Sequence, residues 1–181
     1  MAVSALMRNP LRPHSSAAGS RAWSFYVNVL GASPLLTGEG RMRLYRRAGI
    51  DTNTPSIGPA CYFHSHAIRI AAGTLVNHGC HFENIAAVEI GTGCALGMRV
   101  MVITSTHRLG DARRRAGEWE ARPVRIEDGC WIGAGAILLP GVAVGEGCVV
   151  AAGAVVHESC EPDGLYGGVP ARRLEDLPVD D

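Results

Sequence analysis

The sequence predicts an all-β chain wound as a parallel β-helix of six-residue repeats, and two observations carry that prediction. Aliphatic residues recur every sixth position in one phase: Ile90, Leu96 and Val102, then Ile126, Ile132, Leu138, Val144, Val150 and Val156. A six-residue period matches neither the 3.6 of a helix nor the alternation of a half-buried strand. It fits a triangular coil in which three hexads make one turn. Four places after each of these residues comes a small or β-branched one: Cys94, Val100, Thr106, Cys130, Ala136, Val142, Cys148, Ala154 and Cys160. Such residues suit tight corners, where little volume is free. Gly91, Gly97, Gly133 and Gly145 directly follow an aliphatic residue, and turns using positive φ are expected there.

Taken in order, residues 1–60 form an N-terminal tail and helical segment. Ala22 to Leu36 is apolar, preceded by Arg8, Arg12 and Arg21. It is too short to span a bilayer, and Asn28 interrupts it, so it reads as a helix packed on the base of the coil rather than a signal peptide. A basic helix around Arg41 to Arg47 follows. The β-helix itself is expected over 61–166, with a C-terminal tail at 167–181. Ile70, Val76 and Phe82 keep the six-residue step, but the next core position is Ile90, so two extra residues within Ile85 to Val88 bulge the coil near Asn84.

A larger break follows Val102. Continuing the phase would bury Arg108, Arg114 and Glu120, and unpaired buried charges cost far more than the coil gains. The chain is therefore expected to leave the coil over about 108–123 as a protruding loop, with His107 as the last residue at a corner. Loops of this length in a small domain are often functional.

Composition narrows the function. A chain of 181 residues and 19.1 kDa is one domain with short appendages. Zero net charge leaves no electrostatic footprint for nucleic acid. The 17 basic residues are all arginine. Among the six cysteines, Cys94, Cys130 and Cys148 lie at multiples of 18 and should stack in one corner column as small buried hydrophobes. With no CxxC pair to suggest zinc, reduced cysteines point to a cytoplasmic protein.

The motifs in order are Leu75-Val-Asn-His-Gly-Cys, Ser105-Thr-His107, Pro123-Val124, Trp131-Ile-Gly-Ala-Gly-Ala, Leu139-Pro-Gly, Val150-Ala-Ala-Gly-Ala and Gly168-Val-Pro-Ala-Arg172. Together, from about Ile68 to Leu174, they resemble the hexapeptide-repeat O-acetyltransferases that act on maltose, galactosides, nodulation factors and colanic acid. The resemblance implies a left-handed coil, acetyl-CoA as acyl donor with no metal, and a homotrimer with active sites between subunits. It also implies roles. His107 is the general base that takes a proton from a hydroxyl of a sugar, glycoside or polysaccharide precursor as that oxygen attacks the thioester. The backbone N–H of Ala134, beside Gly133, receives the oxyanion. The amide of Ala152 holds the pantetheine arm, with Trp131 nearby, and Arg172 meets the CoA phosphates. Asn77 contacts the acceptor, with Glu83 and Asn84 in the bulge as further acceptor-binding candidates. One departure stands out: His157-Glu158 replaces a Thr-Lys pair that helps such enzymes hold CoA.

Each role has a plainer alternative, since Asn77 could cap a corner, Trp131 could pack in an interface, and Gly133 and Ala134 could be corner residues. N-acetylation of an amino sugar is the rival within acyl transfer. A γ-class carbonic anhydrase shares the fold, and His64, His66, His78 and His81 have metal-like spacings, but no second His follows His107 in the coils. A non-catalytic scaffold is the remaining alternative.

Overall fold

Three short parallel sheets form the sides of a triangular prism in the computed structural model, which describes residues 20–179. Arg8 and Arg12 lie outside the described residues. The first side contains β1 (Asp51–Thr52), β3 (Ile68–Ile70), β6 (Val88–Ile90), β11 (Val124–Ile126) and β14 (Ala143–Val144). On the second side are β4 (Leu75–Val76), β7 (Ala95–Leu96), β12 (Trp131–Ile132), β15 (Val149–Val150) and β17 (Gly164–Gly167), with β18 (Arg172–Asp176) added antiparallel at the edge. The third side holds β2 (Tyr62–Phe63), β5 (His81–Glu83), β8 (Met101–Ile103), β13 (Ile137–Leu138) and β16 (Val155–Val156). The chain visits the sides in that order, coil after coil. Parallel pairing thus starts at Asp51, ahead of residue 61, and continues through Gly164–Gly167 before β18 folds back.

All nine periodic aliphatic residues are buried, none more than 2% exposed. The small positions Cys94, Val100, Cys130, Ala136, Cys148 and Ala154 are buried with them, so both sets fill one interior. Leu138→Ala, at 0% exposure, is expected to lower unfolding free energy by about 2–5 kcal/mol, as read by chemical denaturation.

The glycines after the aliphatic residues do different work from that expected. Positive φ occurs at another set, including Gly73, Gly93, Gly129, Gly135 and Gly153. Gly97, Gly133 and Gly145 are glycine because the next coil's backbone passes against them. A Cβ on Gly97 would sit 2.5 Å from the Ala134 nitrogen, and one on Gly145 would sit 2.7 Å from the Pro162 nitrogen. At Gly133 it would meet the backbone of Ala151 and Ala152, and at Gly91 that of Glu127 and Asp128.

The helices close one end. Here α1 (Arg21–Phe25) runs on into a π-helical turn, Tyr26–Leu30, and α2 (Gly38–Arg47) follows. Asn28 imitates a strand partner: its Oδ1 accepts from the Phe63 amide at 2.9 Å and its Nδ2 donates to the Phe63 carbonyl at 2.9 Å. Arg41, within the basic helix, is buried and donates to the carbonyls of Gly31, Ile57 and Ser33. Tyr45 meets Phe63 edge-on at 5.1 Å.

The three outer faces differ. On the first, Asp51, Arg69, Glu89 and Arg125 alternate in sign along the ladder, with ion pairs Arg69–Asp51 and Arg125–Glu89. The second presents Leu75, Ala95, Trp131, Val149 and Leu165, and the third Tyr62, His81, Met101, Ile137 and Val155. One side is therefore dressed for water and two for contact.

Candidate active site

The corner between the third and first sides carries both irregularities. Register pairs Phe82 with Val102 and Ile70 with Ile90, so the extra residues do fall in the turn after Phe82. There Asn84 is fully buried. Its Oδ1 accepts from the amides of His64 and Ser65, and its Nδ2 donates to the Ser65 carbonyl. One coil on, buried Thr104 repeats the device, its Oγ1 accepting from the amides of Ile85 and Ala86 at 3.0 Å. A widened turn strands backbone N–H groups, and these side chains satisfy them.

After Thr104 the chain leaves the coil as an antiparallel hairpin, β9 (Ser105–Leu109) and β10 (Ala116–Ala121). Departure is therefore at Ser105, and His107 stands on the hairpin rather than at a coil corner. Thr106 likewise belongs to the hairpin and is only half-buried. Glu83 fastens the root: its Oε2 accepts from the amides of Thr104 and Ser105, and its Oε1 from the Ser105 hydroxyl at 2.9 Å.

The hairpin has two unlike faces. Arg108 pairs with Glu118 and Glu120, each at 3.2 Å, and Arg122 pairs with Glu120. On the opposite face His107 lies directly across from Trp119, with Leu109 two residues along. The His107 Nδ1 is 3.1 Å from the Gly117 carbonyl. A carbonyl only accepts, so Nδ1 carries the hydrogen, and in the neutral tautomer that this bond selects Nε2 keeps its lone pair. That is the state a general base needs.

The other predicted residues gather at a different corner, between the second and third sides. Asn77 and His78, then Gly97 and Met98, then Gly133 and Ala134, then Ala151 and Ala152, stack there coil on coil. Ala134 and Ala152 are exposed residues whose amides have no acceptor among the described residues, whereas the amides of Gly133 and Gly153 bond the neighbouring coils. One coil spacing, about 4.8 Å, separates the two free donors. Gly97 and Gly133 leave room for that stacking. Trp131 lies beside this corner and is 58% exposed. The Oδ1 of Asn77 accepts from the His78 amide at 2.8 Å, and its Nδ2 has no partner among the described residues. Arg172 sits past the last coil, its Nη1 3.4 Å from the His157 Nε2 and 3.8 Å from Glu158.

One chain does not bring the predicted residues together. His107 and Glu83 lie at one end of the third side, and Ala134 and Ala152 at the other. A hexad side at 3.3 Å per residue is roughly 15–20 Å long, and His107 is only three residues past Thr104. Asn84 is fully buried, and the carboxylate of half-buried Glu83 accepts from the amides of Thr104 and Ser105 and from the Ser105 hydroxyl at the hairpin root. Trp119 escaped the sequence reading. The one signal was Gly110 and Gly117 around an arginine-rich tip, which permits a hairpin but does not set its register across the bulge between Ala116 and Trp119.

All six cysteines are buried free thiols. Those of Cys94, Cys130 and Cys148 form one column, each donating at 3.0 Å to a carbonyl of the following coil. Among the described residues, no three His, Cys, Asp or Glu side chains converge as metal ligands. His78 instead turns to Asn77, and His81 stacks on Tyr62 at 4.6 Å. No helix of the described residues is long and apolar enough to cross a membrane.

A coil of hexads, a histidine on a hairpin and free amides along one corner are the architecture of the hexapeptide class of acyltransferases. The chain belongs to the hexapeptide-repeat acetyltransferase family. A profile described as the hexapeptide repeat of succinyl-transferase matches residues 123–158. A hexapeptide-repeat acetyltransferase from Vibrio cholerae, solved in complex with acetyl-CoA, is 32% identical over 88% of this chain and 87% of its own, with a TM-score of 0.77. A maltose O-acetyltransferase from Clostridium difficile is 27% identical over 88% and 87% of the two chains, with a TM-score of 0.75. Nodulation protein L of Rhizobium meliloti is 49% identical over 105 residues, 58% of this chain and 57% of that protein. Across the first curated relatives it matches, the chain spans 40 to 62% of their length.

Proposed function

We propose that this protein is an acetyl-CoA-dependent O-acetyltransferase acting on a hydroxyl of a sugar, glycoside or polysaccharide precursor. The observation that carries the reading is His107, held by Gly117 with Nε2 free, together with the unbonded amide column of Ala134 and Ala152. Because these lie at opposite ends of one side of the prism, the active centre forms between copies, the hairpin of one subunit reaching the corner of the next. The two apolar outer faces support a closed homotrimer. Buried reduced thiols fit a cytoplasmic setting.

In the proposed reaction, Nε2 of His107 takes the acceptor hydroxyl proton as the oxygen attacks the thioester carbonyl. The tetrahedral oxyanion accepts a hydrogen bond from the Ala134 amide of the adjacent subunit. Collapse breaks the C–S bond, and the imidazolium returns its proton to the departing CoA sulfur. Ala152 steadies the pantetheine arm, Trp131 packs beside it, and Asn77 Nδ2 is left for the acceptor. Arg172 meets the phosphates, with His157 able to add a donor when protonated.

An assay of CoA thiol release, with mass detection of product, tests this over sugars, glycosides and amino sugars. Acetyl ester formation dependent on acetyl-CoA is the expected result. Amide products alone would assign N-acetylation, and no transfer to any acceptor would reject the reading.

A further inference from the structure

We propose that Arg99 is a specificity residue at the acceptor end of the site, selecting saccharides that carry a carboxylate or phosphate near the reacting hydroxyl. The inference rests on the acetyltransferase reading and deepens it.

The carrying observation is an arginine in a backbone state that suits glycine. At the corner between the second and third sides, every coil makes the same turn. Its outgoing residue is Ala60, Gly79, Arg99, Gly135 or Gly153 in successive coils, and all five have positive φ. That conformation is strained for any residue with a Cβ, and Arg99 holds it at φ +57°. Arg99 is exposed, and its guanidinium has no hydrogen bond or ion pair among the described residues. Strain kept without a structural return points to a functional role.

The side chain leans towards the acceptor end. Its stem lies over Gly79, where an added Cβ would sit 3.4 Å from the Arg99 Cγ. It therefore runs from its own coil onto that of Asn77 and His78, away from Ala134. On the same turn the Met98 amide has no acceptor among the described residues, so a backbone donor and a guanidinium stand together. Carboxylate and phosphate oxygens accept well from both.

Nothing nearby offsets the charge. The segments that build this corner, residues 56–62, 75–82, 95–102, 131–138 and 149–156, contain Arg99, His78 and His81 and no acidic residue. The groove at the foot of the corner, where Ala60 and Tyr62 meet Asn28 and Ser33, has no charged lining residue. Position assigns the anion to one substrate. The acyl donor is proposed to run from Ala134 past Ala152 to Arg172. Arg99 lies one coil, about 4.8 Å, to the other side of Ala134, so the anion belongs to the acceptor.

The test uses three acceptors with the same hydroxyls at C2, C3 and C4: methyl α-D-glucopyranoside, methyl α-D-glucuronopyranoside and α-D-glucose 1-phosphate. Each is measured with wild-type, Arg99→Lys and Arg99→Gly protein. Ligand-observed NMR with CoA present reads binding without turnover, acetyl-CoA is titrated separately, and light scattering follows assembly. In wild type an anionic acceptor should bind about ten- to hundredfold more tightly than the neutral glycoside, the order a charge-assisted contact contributes. The stronger of the carboxylate and phosphate arms names the anion. Arg99→Gly should abolish the preference while leaving acetyl-CoA and the neutral glycoside bound as before. It should also melt no lower than wild type, because glycine relieves the backbone. Arg99→Lys should keep part of the preference. Equal binding of all three acceptors by wild type overturns the proposal, as does a preference that survives Arg99→Gly. Loss of acetyl-CoA affinity in Arg99→Gly overturns it by giving the guanidinium to the donor, and dissociation of that variant does so by making Arg99 an interface residue. Loss of acetyl-CoA binding by wild-type protein would instead reject the acetyltransferase reading itself.

Discussion

His107→Ala should lower turnover by about 10²–10⁴-fold, the range a positioned general base supplies. The fold should not notice. The side chain is exposed and makes one hydrogen bond, to the Gly117 carbonyl, and a bond of that kind contributes about 0.5–1.5 kcal/mol. Acetyl-CoA affinity should also persist, because the proposed donor contacts lie on another corner. His107→Asn separates base from spacer: an amide can still donate to Gly117 but cannot take a proton near neutral pH. Initial rates at saturating acceptor, with calorimetric titration of acetyl-CoA, measure both effects. Turnover near wild type in either variant would remove His107 from the chemistry.

Gly97→Ala should be nearly as damaging, although residue 97 touches no substrate in the proposed site. Its new Cβ would lie 2.5 Å from the Ala134 nitrogen, 2.8 Å from its Cα and 3.0 Å from the Gly133 carbonyl carbon. These are backbone atoms, so no rotamer change relieves the clash and the next coil must shift. Overpacking of this kind costs about 1–3 kcal/mol. Displacing an oxyanion donor costs about 10²–10³ in kcat. Gly133→Ala makes the same kind of contact one coil later, against Ala152, and should raise the KM for acetyl-CoA more than it lowers kcat. Gly93→Ala is the control. Its Cβ meets nothing within 4 Å, but its φ is +64°, so stability should fall by about 1–2 kcal/mol with rates preserved. If all three variants changed rates equally, the stacked amides would have no separate roles.

The core was legible because a hexad period is a direct record of which side chains face inward. Each of Ile132, Leu138 and Val144 needs only its own phase to be placed. Gly97 and Gly133 were misread because their constraint comes from a backbone distant in sequence, and local turn chemistry offers a ready but wrong explanation. The excursion was visible through Arg108 and Arg114, which no coil could bury. Its form as a hairpin was not, since the His107–Trp119 register is set across a bulge between Ala116 and Trp119. Glu83 and Asn84 looked like ligand contacts because exposed and buried polar residues read alike in a bulge. Only a count of stranded amides separates them, and that count assigns both to the turn.

If the proposed base and oxyanion donor belong to different copies of the chain, mixing two defective subunits should rebuild a complete site. His107→Ala and Gly97→Ala are each nearly inactive on this account, for unrelated reasons. Unfolded together in equal amounts and reassembled, they should recover activity. A site combining the intact hairpin of the Gly97→Ala chain with the intact corner of the His107→Ala chain is complete, and random assembly gives about one such site in four. Recovered activity near a quarter of wild type, absent when either variant is refolded alone, is the predicted result. Activity no greater than the sum of the two variants, from assemblies shown to contain both chains, would place the whole site within one chain and contradict the account.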